Sequence, residues 1–106
     1  MINSTEFHPE AQAELMAAIR WYNDRQRGLG LRFNAMVQRS VDSILDWPKL
    51  APVWPGRDRI PVVRAAHLSE RWPYRIVYFV DGTRLWVVAV AHDKRLPGYW
   101  KDRVSS

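Results

Sequence analysis

Two apolar runs in the last third of the chain, residues 74–80 and 85–91, constrain the fold more than any other feature. Both runs are rich in β-branched and aromatic residues, and Asp81-Gly82 stands between them. An Asp-Gly pair in that position is typical of a two-residue hairpin turn, in which both residues need positive φ. The sequence therefore predicts an antiparallel β-hairpin.

This turn also predicts a register for the hairpin. With Asp81-Gly82 as the turn, Val80 opposes Thr83 and Arg75 opposes Val88, because side chains alternate along each strand. One face then carries an uncharged set, namely Tyr74, Ile76, Tyr78, Val80, Leu85, Val87, Ala89 and Ala91. The other face carries Arg75, Val77, Phe79, Arg84, Trp86, Val88, Val90 and His92. We expect helices to cover the first face and a partner or substrate to bind the second.

The N-terminal half predicts a helical hairpin. After a short edge strand at residues 2–7, Phe7-His8-Pro9 marks a helix start, and apolar residues recur at helical spacing on either side of a glycine-containing link at residues 25–30. The second helix is expected to end near Trp47-Pro48. A proline-rich loop at residues 48–59 then leads to a strand at residues 60–68. The predicted fold is α+β: a helical hairpin packed on a small antiparallel sheet, in a single domain of residues 1–106 with a frayed end at residues 103–106.

The net charge of +5 comes entirely from the C-terminal half, since residues 57–106 contain ten Lys and Arg against five Asp and Glu. This excess favours a polyanionic or acidic partner. The chain contains no cysteine, its start does not resemble a signal peptide, and no apolar run reaches the roughly 18 to 20 residues that cross a bilayer. We expect a cytoplasmic protein. His8, His67 and His92 lack the spacing of a zinc site, so no metal and no cofactor are expected.

Six tryptophans are unusual in a chain of this length. Trp21 and Trp86 lie in periodic segments and are predicted to be core residues. Indoles in loops and tails either anchor a partner or pack locally over a small core. We assign partner contacts to Trp54, Trp72 and Trp100.

An ordered set of motifs resembles the RelE/ParE superfamily of bacterial toxins over about residues 6–103. The set comprises Gly-Leu-Gly-Leu-Arg-Phe at 28–33, Val-Val-Arg at 62–64, Trp-Pro-Tyr-Arg-Ile-Val-Tyr at 72–78, Ala-Val-Ala-His at 89–92 and Pro-Gly-Tyr-Trp at 97–100. The resemblance implies the toxin of a type II toxin–antitoxin system, active in stress or plasmid stabilisation and neutralised by a cognate antitoxin. RelE-like members cleave mRNA on the ribosome without metal or cofactor, whereas ParE-like members bind and poison DNA gyrase.

The resemblance also implies a catalytic set for the nuclease alternative. Arg75 takes the position of an arginine that contacts the scissile phosphate. Tyr99 takes the position of a C-terminal tyrosine that acts as base or stacking group, and Arg95 takes the position of a basic neighbour. His92 ends the last strand, where related nucleases carry a functional side chain. Arginines around Tyr99 would lower its pKa, as a base requires.

Two departures count against cleavage. The lysine pair of ribosome-dependent members has no counterpart, and the predicted register separates Arg75 from His92 by about 13 Å at roughly 3.3 Å per residue. A purely structural role for Arg75, pairing with Asp93 or Glu70, is the alternative to catalysis. A non-toxic protein- or RNA-binding module of the same fold is the alternative function. Nucleic-acid contacts are assigned to Arg57, Arg59, Arg64, Lys94 and Lys101.

Overall fold

The computed structural model describes residues 1–69 and 71–104, in which two helices pack on a four-stranded sheet. The elements in chain order are β1 (Ser4–Phe7), α1 (Pro9–Arg25), α2 (Leu29–Asp46), β2 (Arg64–Ser69), β3 (Trp72–Asp81), β4 (Arg84–His92) and a short 3-10 helix (Lys101–Arg103). The strand order is β1-β4-β3-β2. The predicted α+β fold is confirmed, with one difference: β1 runs parallel to β4, so the sheet is mixed.

The helical hairpin begins as predicted. Pro9 opens α1, and Nδ1 of His8 accepts a 3.1 Å hydrogen bond from the N–H of Glu10. Gly28, at φ 87°, precedes α2, and Gly30 lies so close to α1 that a Cβ there would collide with the carbonyl oxygen of Ile19. The two helices therefore cross at a glycine contact. Within residues 1–69 and 71–104, no helix is long and apolar enough to cross a membrane.

The hairpin turn differs from the prediction. Asp81 pairs with Arg84, so Gly82 and Thr83 form the turn. Gly82 has φ 63°, and no described residue other than glycine has positive φ. The predicted turn required positive φ at Asp81, which Asp81 does not have. Asp81 is instead the last paired residue of β3, so the predicted register of the hairpin is wrong.

A β-bulge in β4 changes the register a second time. Tyr78 pairs with Val87 but Val77 pairs with Ala89, so Val88 is an extra residue in the ladder. Beyond the bulge, Arg75 opposes Ala91, and the alternation of β4 is shifted by one position. The predicted faces are therefore wrong for the end of β4. Val90 packs in the core beneath the helices, whereas Ala89 and Ala91 pack on the other side of the sheet.

Both faces of the sheet are covered. The helices bury one face, with Phe33, Val37, Ile76 and Val87 completely inaccessible. The other face carries a second cluster, here called the C-terminal cluster, which is formed by Val63, Ala65, Val77, Val88, Ala89, Ala91, Trp100 and Val104. The prediction that this face is open to a partner is wrong for its centre, because the chain's own C-terminal segment covers it.

The predicted strand at residues 60–68 begins only at Arg64. Residues 57–63 instead fold back on themselves, since the N–H of Val63 donates to the carbonyl oxygen of Arg57 at 3.1 Å. The predicted frayed end is wrong for Arg103 and Val104, because Arg103 ends the 3-10 helix and Val104 is 7% exposed. Residues 105 and 106 lie outside the described residues.

The tryptophans are distributed differently from the prediction. Trp21 was expected in the core but is 51% exposed, and Trp86 is half-buried. Trp72 and Trp100, both predicted to contact a partner, are 5% and 1% exposed. Neither indole is available to a partner without rearrangement.

Candidate functional site

The four residues predicted to be catalytic, Arg75, His92, Arg95 and Tyr99, line one small recess where β3 begins and β4 ends. Because Arg75 opposes Ala91, it lies one position from His92 along the ladder and not four. The backbones of these two residues are thus closer together than the sequence predicted, although neighbouring positions on the ladder direct their side chains to opposite faces. The polar groups of Arg75, His92 and Tyr99, however, are engaged by residues outside this set.

Arg75 belongs to a group of three side chains, here called the Asp93 cluster. Asp93 follows β4 and is held there by its N–H, which donates to the carbonyl oxygen of Pro73 at 2.8 Å. Its Oδ1 accepts from Arg75 at 3.2 Å, and its Oδ2 lies 3.1 Å from Nε2 of His67. The pairing of Arg75 with Asp93 was one of the alternatives, and it is confirmed.

His67 was not predicted as a site residue. It lies directly opposite Arg75 in the β2–β3 ladder, and all three side chains of the Asp93 cluster are about one third to one half exposed. A histidine oriented by a carboxylate beside a guanidinium is an arrangement that can act on a phosphodiester. Among the described residues, no group of three or more His, Asp or Glu side chains is placed to hold a metal ion.

Tyr99 belongs to a second group, here called the Glu14 network. Glu14 of α1 accepts from the hydroxyl of Tyr99 at 2.7 Å and from both terminal nitrogens of Arg103 at 3.0 and 2.9 Å. The Glu14 and Arg103 side chains are only 16% and 9% exposed. A bidentate carboxylate–guanidinium pair of this kind is short and strong.

The pairing of β4 with β1 ends at Val87. Beyond that residue, the Glu14 network supplies hydrogen-bond partners to the backbone at this edge of β4. The N–H of Val90 donates to Glu14 at 3.0 Å, and the carbonyl oxygen of Val88 accepts from Arg103 at 3.1 Å. Backbone groups at a strand edge need partners, and here side chains supply them. The Glu14 network therefore joins α1, β4 and the C-terminal segment.

The predicted lowering of the Tyr99 pKa is wrong. Burial raises the pKa of Tyr99 well above its ordinary value, and its hydrogen bond to Glu14 and the charge of that carboxylate raise it further. Arg103 and Arg95 act in the opposite direction but do not offset these effects, although Arg95 lies 3.8 Å above the Tyr99 ring. At neutral pH the phenol is a hydrogen-bond donor to Glu14, so it is unsuited to act as a base.

His92 is also engaged. Its Nδ1 accepts from the N–H of Lys94 at 3.0 Å, and its ring meets the ring of Tyr74 edge-on at 4.9 Å. Burial, and secondarily the proximity of Tyr22, raises the pKa of Tyr74 to about 12. His92 thus packs toward the aromatic side chains of the helical face.

Three of the five predicted nucleic-acid contacts, Arg57, Arg59 and Lys101, line one groove. Arg64 instead donates to the carbonyl oxygens of Lys49 and Ala51, at 3.1 and 2.8 Å, and so supports the loop after α2. Lys94 lies in the turn after β4, outside this groove.

The three predicted partner contacts are also separated. Trp54 packs edge-to-face against buried Trp100, with ring centroids 5.2 Å apart. Trp72 lies on the opposite side of the sheet, beneath the helices, 5.0 Å from the ring of Tyr22. The three indoles therefore form no common surface.

Two helices packed on a four-stranded sheet, with a basic and aromatic segment at its end, define a toxin of the RelE/ParE superfamily. Within that class, the chain belongs to the family described as ParE toxin of type II toxin-antitoxin system, parDE, whose sequence model matches residues 5–97. A solved structure titled "Chromosomal ParDE TA system from P. aeruginosa" is similar, with a TM-score of 0.68 and 19% identity over 87% of this chain and 96% of that chain. At this identity the likeness shows the fold. A search of curated proteins finds no match.

Proposed function

We propose that this toxin stops bacterial growth by binding and inhibiting DNA gyrase, and that it does so without cleaving RNA. Membership of the ParE family supports the proposal, because the resemblance described above implies that ParE-like members poison gyrase. The observation that carries it is the hydrogen bond from the Tyr99 hydroxyl to Glu14. Metal-free RNA cleavage needs a base, and the phenol that would supply it is protonated and engaged.

The proposal includes a cognate antitoxin that neutralises the toxin. The P. aeruginosa structure is described as a ParDE toxin–antitoxin system, which supports a partner of this kind. The C-terminal half of the chain carries the positive charge that an acidic segment would complement. Co-expression of the neighbouring reading frame should then restore growth.

A plasmid supercoiling assay with gyrase and the purified toxin tests the mechanism. We expect supercoiling to be inhibited while ribosome-bound mRNA in a parallel reaction stays intact. Tyr99→Phe should inhibit gyrase as the wild type does, because the hydroxyl serves the fold. Unimpaired supercoiling at a large molar excess of folded toxin would contradict the proposal.

A second candidate function rests on the Asp93 cluster. Here His67 is the base, Asp93 orients it and Arg75 neutralises the phosphate, so that the toxin would cleave mRNA without metal. RNA from induced cells would show cleavage within codons that is lost in His67→Ala and Asp93→Asn. Tyr99→Phe is the matched control. Cleavage survives this change if His67 is the base and is lost if Tyr99 is the base.

A non-toxic binding module is the remaining alternative. It predicts that induction of the toxin gene alone leaves growth unaffected. Growth arrest on induction, reversed by the antitoxin, excludes it and leaves the supercoiling and RNA assays to distinguish the other two.

A further inference from the structure

Two Pro-Gly turns lie side by side at the surface of the C-terminal cluster. In the first, the N–H of Arg57 donates to the carbonyl oxygen of Trp54 at 2.9 Å, with Gly56 at φ 81°. In the second, the N–H of Tyr99 donates to the carbonyl oxygen of Leu96 at 3.1 Å, with Gly98 at φ 77°. Proline in the second position and a positive-φ glycine in the third are typical of a type II turn. The space between them, here called the turn groove, is lined by Trp54, Arg57, Arg59, Pro97, Gly98 and Lys101.

The turn groove is held rigidly from below. Trp100, which follows the second turn, is 1% exposed and packs against Trp54 of the first. The N–H of Trp54 donates to the carbonyl oxygen of Val63 at 2.8 Å, which ties the first turn to the C-terminal cluster. Groups on a rigid support keep their geometry when a ligand binds.

Three cations, Arg57, Arg59 and Lys101, surround the turn groove. The stem of Lys101 crosses Gly98, where a Cβ would lie 2.8 Å from its Cε, so the glycine makes room for the lysine. Among the described residues, none of the three forms a salt bridge with a carboxylate. Asp58 and Asp102 are neighbours in sequence but do not line the groove.

Arg57 carries an unmet hydrogen-bonding group. Its Nε is buried and has no hydrogen-bond partner within the described part of the chain. A buried donor without an acceptor is costly and uncommon, and a ligand can supply the acceptor only when the Arg57 side chain shifts to meet it. The guanidinium fork and the neighbouring cations suit a tetrahedral anion with several acceptor oxygens.

We propose that the turn groove binds the backbone phosphates of nucleic acid, without reading its sequence. Trp100 is 1% exposed and packs edge-to-face with Trp54, so it provides no open platform for stacking a base. A protein partner would need an aromatic or aliphatic anchor at the centre of the groove, and both indoles are already used in packing. The groove lies outside the Asp93 cluster and the Glu14 network, and the inference does not rest on the proposed gyrase inhibition.

Fluorescence anisotropy of labelled duplex DNA and single-stranded RNA, titrated with the purified full chain over a salt series, tests the inference. Three phosphate contacts on duplex DNA predict a slope of log K against log salt of about −3, and about −2 on a single strand. The triple change Arg57→Gln, Arg59→Gln and Lys101→Gln should weaken binding at least about tenfold and flatten the slope.

The matched control is Arg20→Gln, Arg27→Gln and Arg32→Gln, which removes the same charge from exposed positions of the helical hairpin. We expect it to change the affinity less than about twofold, and circular dichroism should show both variants folded. Binding to either nucleic acid that the groove variant weakens more than the control supports the inference, and comparison of the two nucleic acids identifies the preferred one.

Three results would overturn the inference. The first is the absence of salt-dependent binding to either nucleic acid, and the second is equal weakening of binding by the groove variant and the control. The third is that the groove variant loses affinity for a polyglutamate peptide but keeps its affinity for nucleic acid. Gyrase is absent from the assay, so these results are independent of those from the supercoiling test.

Discussion

The Tyr99 hydroxyl donates a 2.7 Å hydrogen bond to Glu14, which lies 85 residues earlier in the chain. The same carboxylate accepts from Arg103 and from the backbone of Val90. One side chain of the first helix thus fixes the last strand and the end of the chain together, and it engages the hydroxyl of a residue that lines the recess beside Arg75.

Glu14→Gln is expected to destabilise the protein by about 3 kcal/mol, because it leaves the largely buried Arg103 without its counter-charge. Urea denaturation at neutral pH measures the loss. Glu10→Gln is the control on the same helix. Glu10 is 67% exposed and lies 3.6 Å from Arg103, so its loss should cost less than about 1 kcal/mol. Equal losses in the two variants would show that the Glu14 network does not stabilise the fold.

Gly30→Ala is expected to destabilise the protein by about 1 to 3 kcal/mol through overpacking. Helix propensity alone predicts the opposite sign, about 1 kcal/mol of stabilisation. The difference arises because the new Cβ would meet the carbonyl oxygen of Ile19 and force α1 and α2 apart. Ser43→Ala, at an exposed position of α2, should be neutral or slightly stabilising in the same denaturation experiment. A Gly30→Ala protein as stable as the wild type would contradict the close helix contact.

Stability should fall as the pH rises above about 10, the ordinary pKa of tyrosine. In the unfolded chain a tyrosine loses its proton there, whereas folded Tyr74 keeps its proton up to its raised pKa of about 12. The stabilisation is therefore complete below about pH 10 and is lost towards about pH 12. Urea midpoints measured between about pH 8 and about pH 11.5 should decline less steeply in Tyr74→Phe than in the wild type. Identical slopes would mean that Tyr74 does not contribute.

Trp72→Ala is expected to cost about 3 to 5 kcal/mol, because the indole is 5% exposed and packs against Tyr22 and Phe33. Trp21→Ala, one residue from Tyr22 but 51% exposed, should cost less than about 1 kcal/mol. Thermal denaturation followed by far-ultraviolet circular dichroism compares the two. A larger effect at Trp21 would reverse the assignment of core and surface.

The sequence was sufficient to predict the elements whose signals are local. Pro9 and the apolar spacing after it mark α1, and the two apolar runs mark β3 and β4. The register of the hairpin could not be predicted in the same way. It depends on a turn shifted to Gly82-Thr83 and on the bulge at Val88, for which the alternation of residues gives no sign.

The candidate site was only partly predictable for a related reason. The recess around Arg75 and Tyr99 was anticipated from motifs, but the groups that control these side chains were not. His67 is 26 residues from Asp93, and Glu14 is 85 residues from Tyr99. Contacts of this kind arise from the packing of distant elements, and a single sequence does not show which carboxylate will meet which phenol.

The side chains that close the edge of β4 have a consequence for self-association. An unpaired strand edge is a template on which a second copy can add a strand, and this is a common route to aggregation. In this toxin Glu14 and Arg103 already occupy the donor of Val90 and the acceptor of Val88. A free molecule of the toxin is thus protected along this edge from growing into a larger sheet.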